Sequence, residues 1–381
     1  MSSPSQADAG APPTANADEK AEPNATPAKP APDAPIAEGP KPAAPKFTME
    51  AFGYLRLQYK VVRNDPTVVF VGRDDGFELQ NARFGVRGKL QDLVAYKLAL
   101  EGAVDERTQV NDPNGKLRVG IKDAYSDVSL GSGITARAGY FESLVQTDLD
   151  DDTSREMVDK PLEINGVRPT QGYQTNGLTP GRSLGTAIRL DPAPPESGVR
   201  FGFELAMQNG ADEFASDNDN DTPAVSASGL ARLAHGGFAV ASVRYNRRTE
   251  GDLPLRRTED DFQGAFGAKI VAGAVSVGGG LFFQRTEFPT TGGPARTGYG
   301  GHGQAFFTVP GTTPFAFGYR FSILDPSSLI LTDRVMEHSI GAVLAVPAYR
   351  MRFQLEITHA AEQGARQLTN DRAQIAAELA L

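Results

Sequence analysis

From residue 47 onward, apolar and polar residues alternate with a period of two. Leu55, Leu57, Tyr59 and Val61 share one face, and Tyr54, Arg56, Gln58 and Lys60 share the other. Successive side chains of a strand point to opposite sides, so this pattern predicts a β-strand with one apolar and one polar face. The pattern recurs. Val199, Phe201, Phe203, Leu205 and Met207 alternate with Arg200, Gly202, Glu204 and Gln208. Met351, Phe353, Leu355 and Ile357 alternate with Arg352, Gln354, Glu356 and Thr358. Sixteen such segments are predicted, at 51–62, 78–90, 93–105, 117–130, 133–143, 183–191, 198–208, 223–234, 237–248, 261–271, 274–286, 300–309, 314–323, 334–346, 349–361 and 371–381.

The connections alternate strictly between short and long. The short ones include Gln91-Asp92, Gly131-Ser132 and Pro347-Ala348; the long ones include 63–77, 144–182 and 209–222. Short turns at one end and long loops at the other, with an even strand number, are the plan of an outer-membrane barrel. The expected fold is therefore all-β: a 16-stranded antiparallel transmembrane β-barrel over 47–381, in the bacterial outer membrane. A soluble propeller would repeat every 40 to 50 residues or so, and no motif recurs at that period. A closed sheet satisfies its backbone donors and acceptors within lipid. A barrel this wide encloses water, because its own side chains cannot fill it.

Composition then excludes other classes. There is no Cys, hence no disulfide framework and no zinc–thiolate site. The net charge of -9 argues against a nucleic-acid partner. No apolar run approaches the length of a transmembrane helix. Residues 1–46 are built mainly from Ala, Pro, Ser, Asn and charged residues, with Phe47 as the first aromatic. Such a segment cannot bury enough apolar surface to offset its ordering entropy. It is expected to be a disordered Pro/Ala-rich periplasmic tail. It lacks the apolar stretch of a signal peptide, and the barrel pattern favours a mature form with an added start Met.

The alternation directs Arg56, Arg83, Arg87, Lys97, Arg118, Arg137, Arg189, Arg200, Arg232, Arg244, Lys269, Arg320, Arg352 and Arg372 inward. The inward acids it picks are fewer: Glu101, Asp105, Glu204, Glu356 and Glu378. A pore wall ringed by Arg and Lys favours anions. The segment 144–182 is the longest connection, and long loops in compact domains are usually functional. Folded into the lumen, it would narrow the pore. It brings Asp148 to Asp152, Glu156, Asp159 and Glu163, with Arg155, Lys160, Arg168 and Arg182 as its bases. An acidic loop facing a basic wall would set a transverse field across the constriction. A second acidic cluster, Asp212 to Asp221, has Asp-x-Asp-x-Asp spacing. It lacks the Gly and Glu of a calcium loop, having Thr222 and Ser228 instead. It reads as a solvated loop. Acidic outer loops could also bridge divalent cations to lipopolysaccharide.

Several stretches resemble the phosphate-selective porins O and P: Phe77 to Leu100, Ile121 to Phe141, Thr153 to Leu162, Met207 to Gly210 and Phe315 to Pro326. The resemblance extends over 47–381 through short motifs. It implies a homotrimeric 16-stranded outer-membrane channel with an inward-folded third loop, passing phosphate or other anions. In that family basic residues on the third loop and wall help bind the anion; Arg155 and Arg168 lie in the corresponding loop here. This chain departs from the pattern in the excess of acids over bases in that loop, and in ending on Leu381 rather than Phe.

No catalysis and no cofactor or metal is expected. His235, His302, His338 and His359 are scattered without ligand spacing, and there is no nucleophile elbow or phosphate loop. His338 and Ser339 are strand neighbours and point to opposite faces. Three readings remain: an anion channel that takes phosphate; a general or organic-acid porin without that selectivity; and a structural barrel tethered to the cell wall through residues 1–46. A sugar channel would want aromatic rings on the lumen face, whereas here they fall mostly on the other face.

Overall fold

The structure is a computed structural model that describes residues 47–72, 75–102, 119–150, 153–168, 170–210, 222–250, 256–311, 314–363 and 367–381. The predicted tail at 1–46, Arg118, Asp105, Asp151, Asp152 and the cluster Asp212 to Asp221 lie outside the described residues.

Sixteen strands follow one another: β1 (Phe47–Val62), β2 (Gly76–Leu90), β3 (Val94–Glu101), β4 (Gly120–Gly131), β5 (Ile134–Glu142), β6 (Arg182–Leu190), β7 (Val199–Gln208), β8 (Ala224–Leu233), β9 (Phe238–Glu250), β10 (Arg257–Ala272), β11 (Val275–Glu287), β12 (Arg296–Val309), β13 (Phe315–Asp325), β14 (Val335–Val346), β15 (Met351–Glu362) and β16 (Arg372–Ala380). Each pairs antiparallel with its sequence neighbours, and β16 returns to β1, closing the sheet. Closure leaves no edge strand with unpaired backbone groups. One short helix, α1 (Leu162–Asn165), lies between β5 and β6.

Burial runs opposite to that of a soluble protein. Leu55, Leu57, Tyr59 and Val61 are exposed on the outside, while Tyr54, Arg56, Gln58 and Lys60 are buried. Phe201, Phe266, Leu281 and Ile340 continue the exposed apolar surface around the barrel. This is the arrangement hydrocarbon solvent demands: apolar side chains outward, polar ones inward.

Two features depart from strict alternation. At β1–β2 the register jumps from Arg56↔Asn81 to Leu57↔Leu79, leaving Gln80 as an extra residue. Such a bulge switches the parity of the strand beyond it. Glu78 and Gln80 therefore join the inward set, and Phe77 turns outward. Second, several inward positions on β8 to β14 are apolar. Leu230, Phe238 and Val240 pack with Leu144 in one buried cluster. Ala265, Phe282, Leu324 and Val335 pack with Val145, Leu162, Val167 and Leu178 in another. The main apolar core thus lies inside the barrel, between its wall and the segment that joins β5 to β6.

Candidate permeation pathway

The segment 143–181 runs along the inner wall, held by both shape and polar bonds. Glycines open the space. A Cβ at Gly267 would sit 2.1 Å from the Thr147 carbonyl oxygen, and one at Gly300 would sit 2.6 Å from Glu163 Cβ. Glu163, buried on α1, accepts bonds from Thr147 Oγ1 (2.9 Å) and is 2.5 Å from His302 Nδ1 of β12. Earlier in the loop, the Leu144 N–H donates to Glu204 of β7 (2.7 Å), and Ser242 of β9 donates to the Leu144 carbonyl (2.6 Å). Farther along, Gln354 of β15 donates to the Arg155 carbonyl (2.9 Å) and Gln80 of β2 to the Val158 carbonyl (3.2 Å).

Asp159 is the most heavily bonded point. Its Oδ2 accepts from Gln374 (2.6 Å) and Arg372 (3.2 Å) of β16. Its N–H donates to Glu356 (3.0 Å), and its carbonyl accepts from Arg320 of β13 (2.7 Å). Burial pushes the Asp159 carboxyl up, but Arg372, Arg168 and Arg320 outweigh it and hold the group below the usual carboxylate range. Two more of the loop's acids meet Lys269 of β10, which lies 2.5 Å from Asp150 and 3.3 Å from Glu156. Burial, together with the charge of Asp148, pushes the Asp150 carboxyl up to about 6 against the pull of Lys269. Asp150, Glu156 and Asp159 therefore sit against basic residues of the wall. Its own bases are dispersed: Arg155 is buried, Arg168 lies 3.4 Å from Glu78, and Lys160 is partly exposed.

The wall arginines are brought together in small groups. Arg56 and Arg352 share Glu378. Arg320 bonds Glu356 at 3.1 Å. Arg83 pairs with Glu101 (2.7 Å), Arg87 with Glu50 (3.0 Å) and Arg137 with Asp127 (2.7 Å). Arg244 donates to the neutral Gln263 at 2.9 Å. Arg189 and Arg232 both bond Asp191, at 2.7 and 3.0 Å. Arg200 stands directly opposite Arg232 in the β7–β8 ladder, and donates to the Ala193 carbonyl at 3.5 Å.

More acids face inward than the alternation picks out: Glu50, Glu78, Asp123, Asp127, Asp191 and Glu337 all pair with wall or loop cations. The signal for some was available, since Asp123 and Asp127 bracket inward Tyr125 at a spacing of two. Among the described residues no group of three or more His, Cys, Asp or Glu is arranged to hold a metal ion. His338 lies exposed on the outside, 2.6 Å from the Tyr319 hydroxyl, while Ser339 is buried inside.

A closed sixteen-stranded barrel with an apolar outer belt, a charged interior and a loop folded onto its inner wall defines an outer-membrane β-barrel of the porin class. The family model described as phosphate-selective porin O and P matches residues 53–227, and the resemblance read from the sequence is borne out over that stretch. Among solved structures, the outer membrane channel DcaP of Acinetobacter baumannii is 13% identical, with a TM-score of 0.59 over 88% of this chain and 97% of that one. The in-vitro folded OmpT of Vibrio cholerae, an outer membrane protein in its trimer form, is 12% identical, with a TM-score of 0.56 over 88% of this chain and 99% of that one. Both likenesses concern the fold. No curated protein sequence matches the chain.

Proposed function

We propose that the protein is a passive outer-membrane channel for small anions, phosphate among them, narrowed by the loop 144–182. The observation that carries this reading is the group Arg189, Arg200 and Arg232 at the short-turn end of β6 to β8. Like charges directly opposite each other in a ladder are destabilising, yet Arg200 faces Arg232. Arg189 and Arg232 share Asp191, Arg189 also lies 3.8 Å from the fully buried Glu204, and Arg200 bonds the Ala193 carbonyl. A cationic surplus on a wetted wall attracts anions and repels cations. The matched family, described as phosphate-selective, points the same way. On this reading the protein transports and does not catalyse. It assembles as a homotrimer, as the trimer form of OmpT does. Lipopolysaccharide surrounds its outer rim.

Planar-bilayer recordings test the reading. Reversal potentials in a KCl gradient should report anion preference, and phosphate should block the chloride current. Replacing Arg200 and Arg232 with Ala should move the reversal potential toward the cation value. A cation-selective wild-type channel overturns the proposal. A second reading, a general or organic-acid porin, is favoured by the pairing of Arg56, Arg83, Arg137 and Arg320 with carboxylates. Chloride current indifferent to phosphate would select it.

A further inference from the structure

On the wall formed by β1 to β5 the inward row is interrupted by aromatic rings. Tyr54 and Phe141 are buried, but Phe52 of β1 and Tyr125 of β4 keep exposed surface. Among the described strand residues elsewhere in the barrel, the inward rings Phe238, Phe282 and Phe306 are buried. Between the two exposed rings stands Lys97 of β3. Its Nζ is 5.6 Å from the Phe52 ring centre and 6.0 Å from that of Tyr125. On the flanks, the guanidinium of Arg87 lies 5.5 Å from Phe52, and that of Arg137 lies 3.7 Å from Tyr125.

The backbone makes room for this row. A Cβ at Gly85 would lie 2.6 Å from Phe52 Cζ and 2.6 Å from the Leu98 carbonyl oxygen, so the ring comes this close to the neighbouring strand because position 85 is glycine. Gly139, beside Tyr125, has φ +134° and a Cβ there would lie 2.7 Å from Tyr125 Cα. The cations are locally balanced: Lys97 with Asp123 at 2.8 Å, Arg87 with Glu50, and Arg137 with Asp127. A small inorganic anion therefore finds little net charge here. What the row offers is flat π surface alternating with cations that remain partly exposed, Lys97 and Arg87 among them. Apolar faces kept against water have unfavourable hydration that a flat apolar solute relieves. Rings stack offset or edge-to-face on such surfaces, a guanidinium lying on a ring can stack a second planar group on its other face, and the ammonium supplies the charge partner.

We propose that the strip Phe52–Lys97–Tyr125 is a binding site for planar aromatic carboxylates, with the solute ring on Phe52 or Tyr125 and its carboxylate on Lys97. This rests on the channel reading for solute access, but not on phosphate selectivity. The test compares benzoate with cyclohexanecarboxylate, which has the same charge and nearly the same size but no planar ring. In planar bilayers benzoate should reduce the chloride current at about a tenfold lower concentration than its saturated counterpart. Phe52→Leu with Tyr125→Leu should abolish that difference and leave the KCl reversal potential unchanged. Equal potency of the two acids on the wild-type channel overturns the proposal, and that comparison needs no variant. Saturation-transfer NMR on detergent-folded protein reads the same preference without conduction. Benzoate preference in a channel indifferent to phosphate would sink phosphate selectivity and sustain this site; phosphate block without benzoate preference would do the reverse.

Discussion

Arg372 of the last strand reaches into the lumen and bonds Asp159 of the inner loop at 3.2 Å, while the same guanidinium makes two bonds to Glu337 of β14. All three residues are buried. Removing one partner of a buried charge pair leaves the others uncompensated, at about 3–5 kcal/mol. Asp159→Ala should therefore release the middle of the loop from Arg372 and Gln374 of β16, leaving only its backbone bonds to Arg320 and Glu356. The expected outcome is a larger, noisier single-channel conductance and a lower unfolding midpoint. Unchanged conductance would show that this contact does not hold the narrow section.

The glycines under the loop give a second, purely steric test. Gly267→Ala pushes a methyl against the Thr147 carbonyl. Overpacking of this kind costs about 1–3 kcal/mol. Protease cleavage within 143–181 should accelerate in this variant. Gly303→Ala, where nothing lies within 4 Å of the added Cβ, should match the wild type.

Asp150 makes the loop sensitive to pH. Its carboxyl is raised to about 6, so between about pH 4 and 6 the docked loop holds a proton that the undocked chain does not. Its contribution to docking is present in full below pH 4 and is lost as pH rises through 6. Protonation also removes a negative charge beside Lys269. Anion selectivity should strengthen when the reversal potential is measured at pH 5 rather than 7.5. Asp150→Asn should show a smaller change; an identical change in both proteins would assign the titration elsewhere.

The outer surface predicts a depth effect. Leu281 lies exposed in the middle of β11. An arginine at the bilayer midplane costs about 2–4 kcal/mol. Leu281→Arg should lower folding stability in lipid vesicles by that order. Gln304→Arg, on the inward row of β12 beside Arg320, should cost much less in the same titration.

The strands were legible because lipid and water impose opposite demands on alternate residues, and that demand is local. Leu55 to Val61 needs no distant partner to be read. The bulge at Gln80 was not legible: an inserted residue has no compositional mark, and it reverses Glu78 and Phe77 at once. The apolar seat formed by Leu230, Phe238 and Val240 is visible only as a flaw in the inward row, since its partner, Leu144, is far away in the chain. Asp191 is similar. It closes the predicted strand 183–191 two positions after Arg189, just past the observed end of β6, yet nothing local says that it pairs with two of the predicted arginines. Direction was thus readable from the sequence, whereas pairing was not, and pairing decides how much positive charge a solute meets.

The seam between β1 and β16 has a consequence for assembly. It is fastened by Arg56 and Glu378, which are 322 positions apart. Joining ends that distant has a loop-closure cost of about 5 kcal/mol before any bond forms. No early part of the barrel can be finished, because every strand before the last leaves an unpaired edge that hydrocarbon will not accept. Insertion must therefore wait for the whole chain. The sixteenth strand carries the residues that lock the first strand in place.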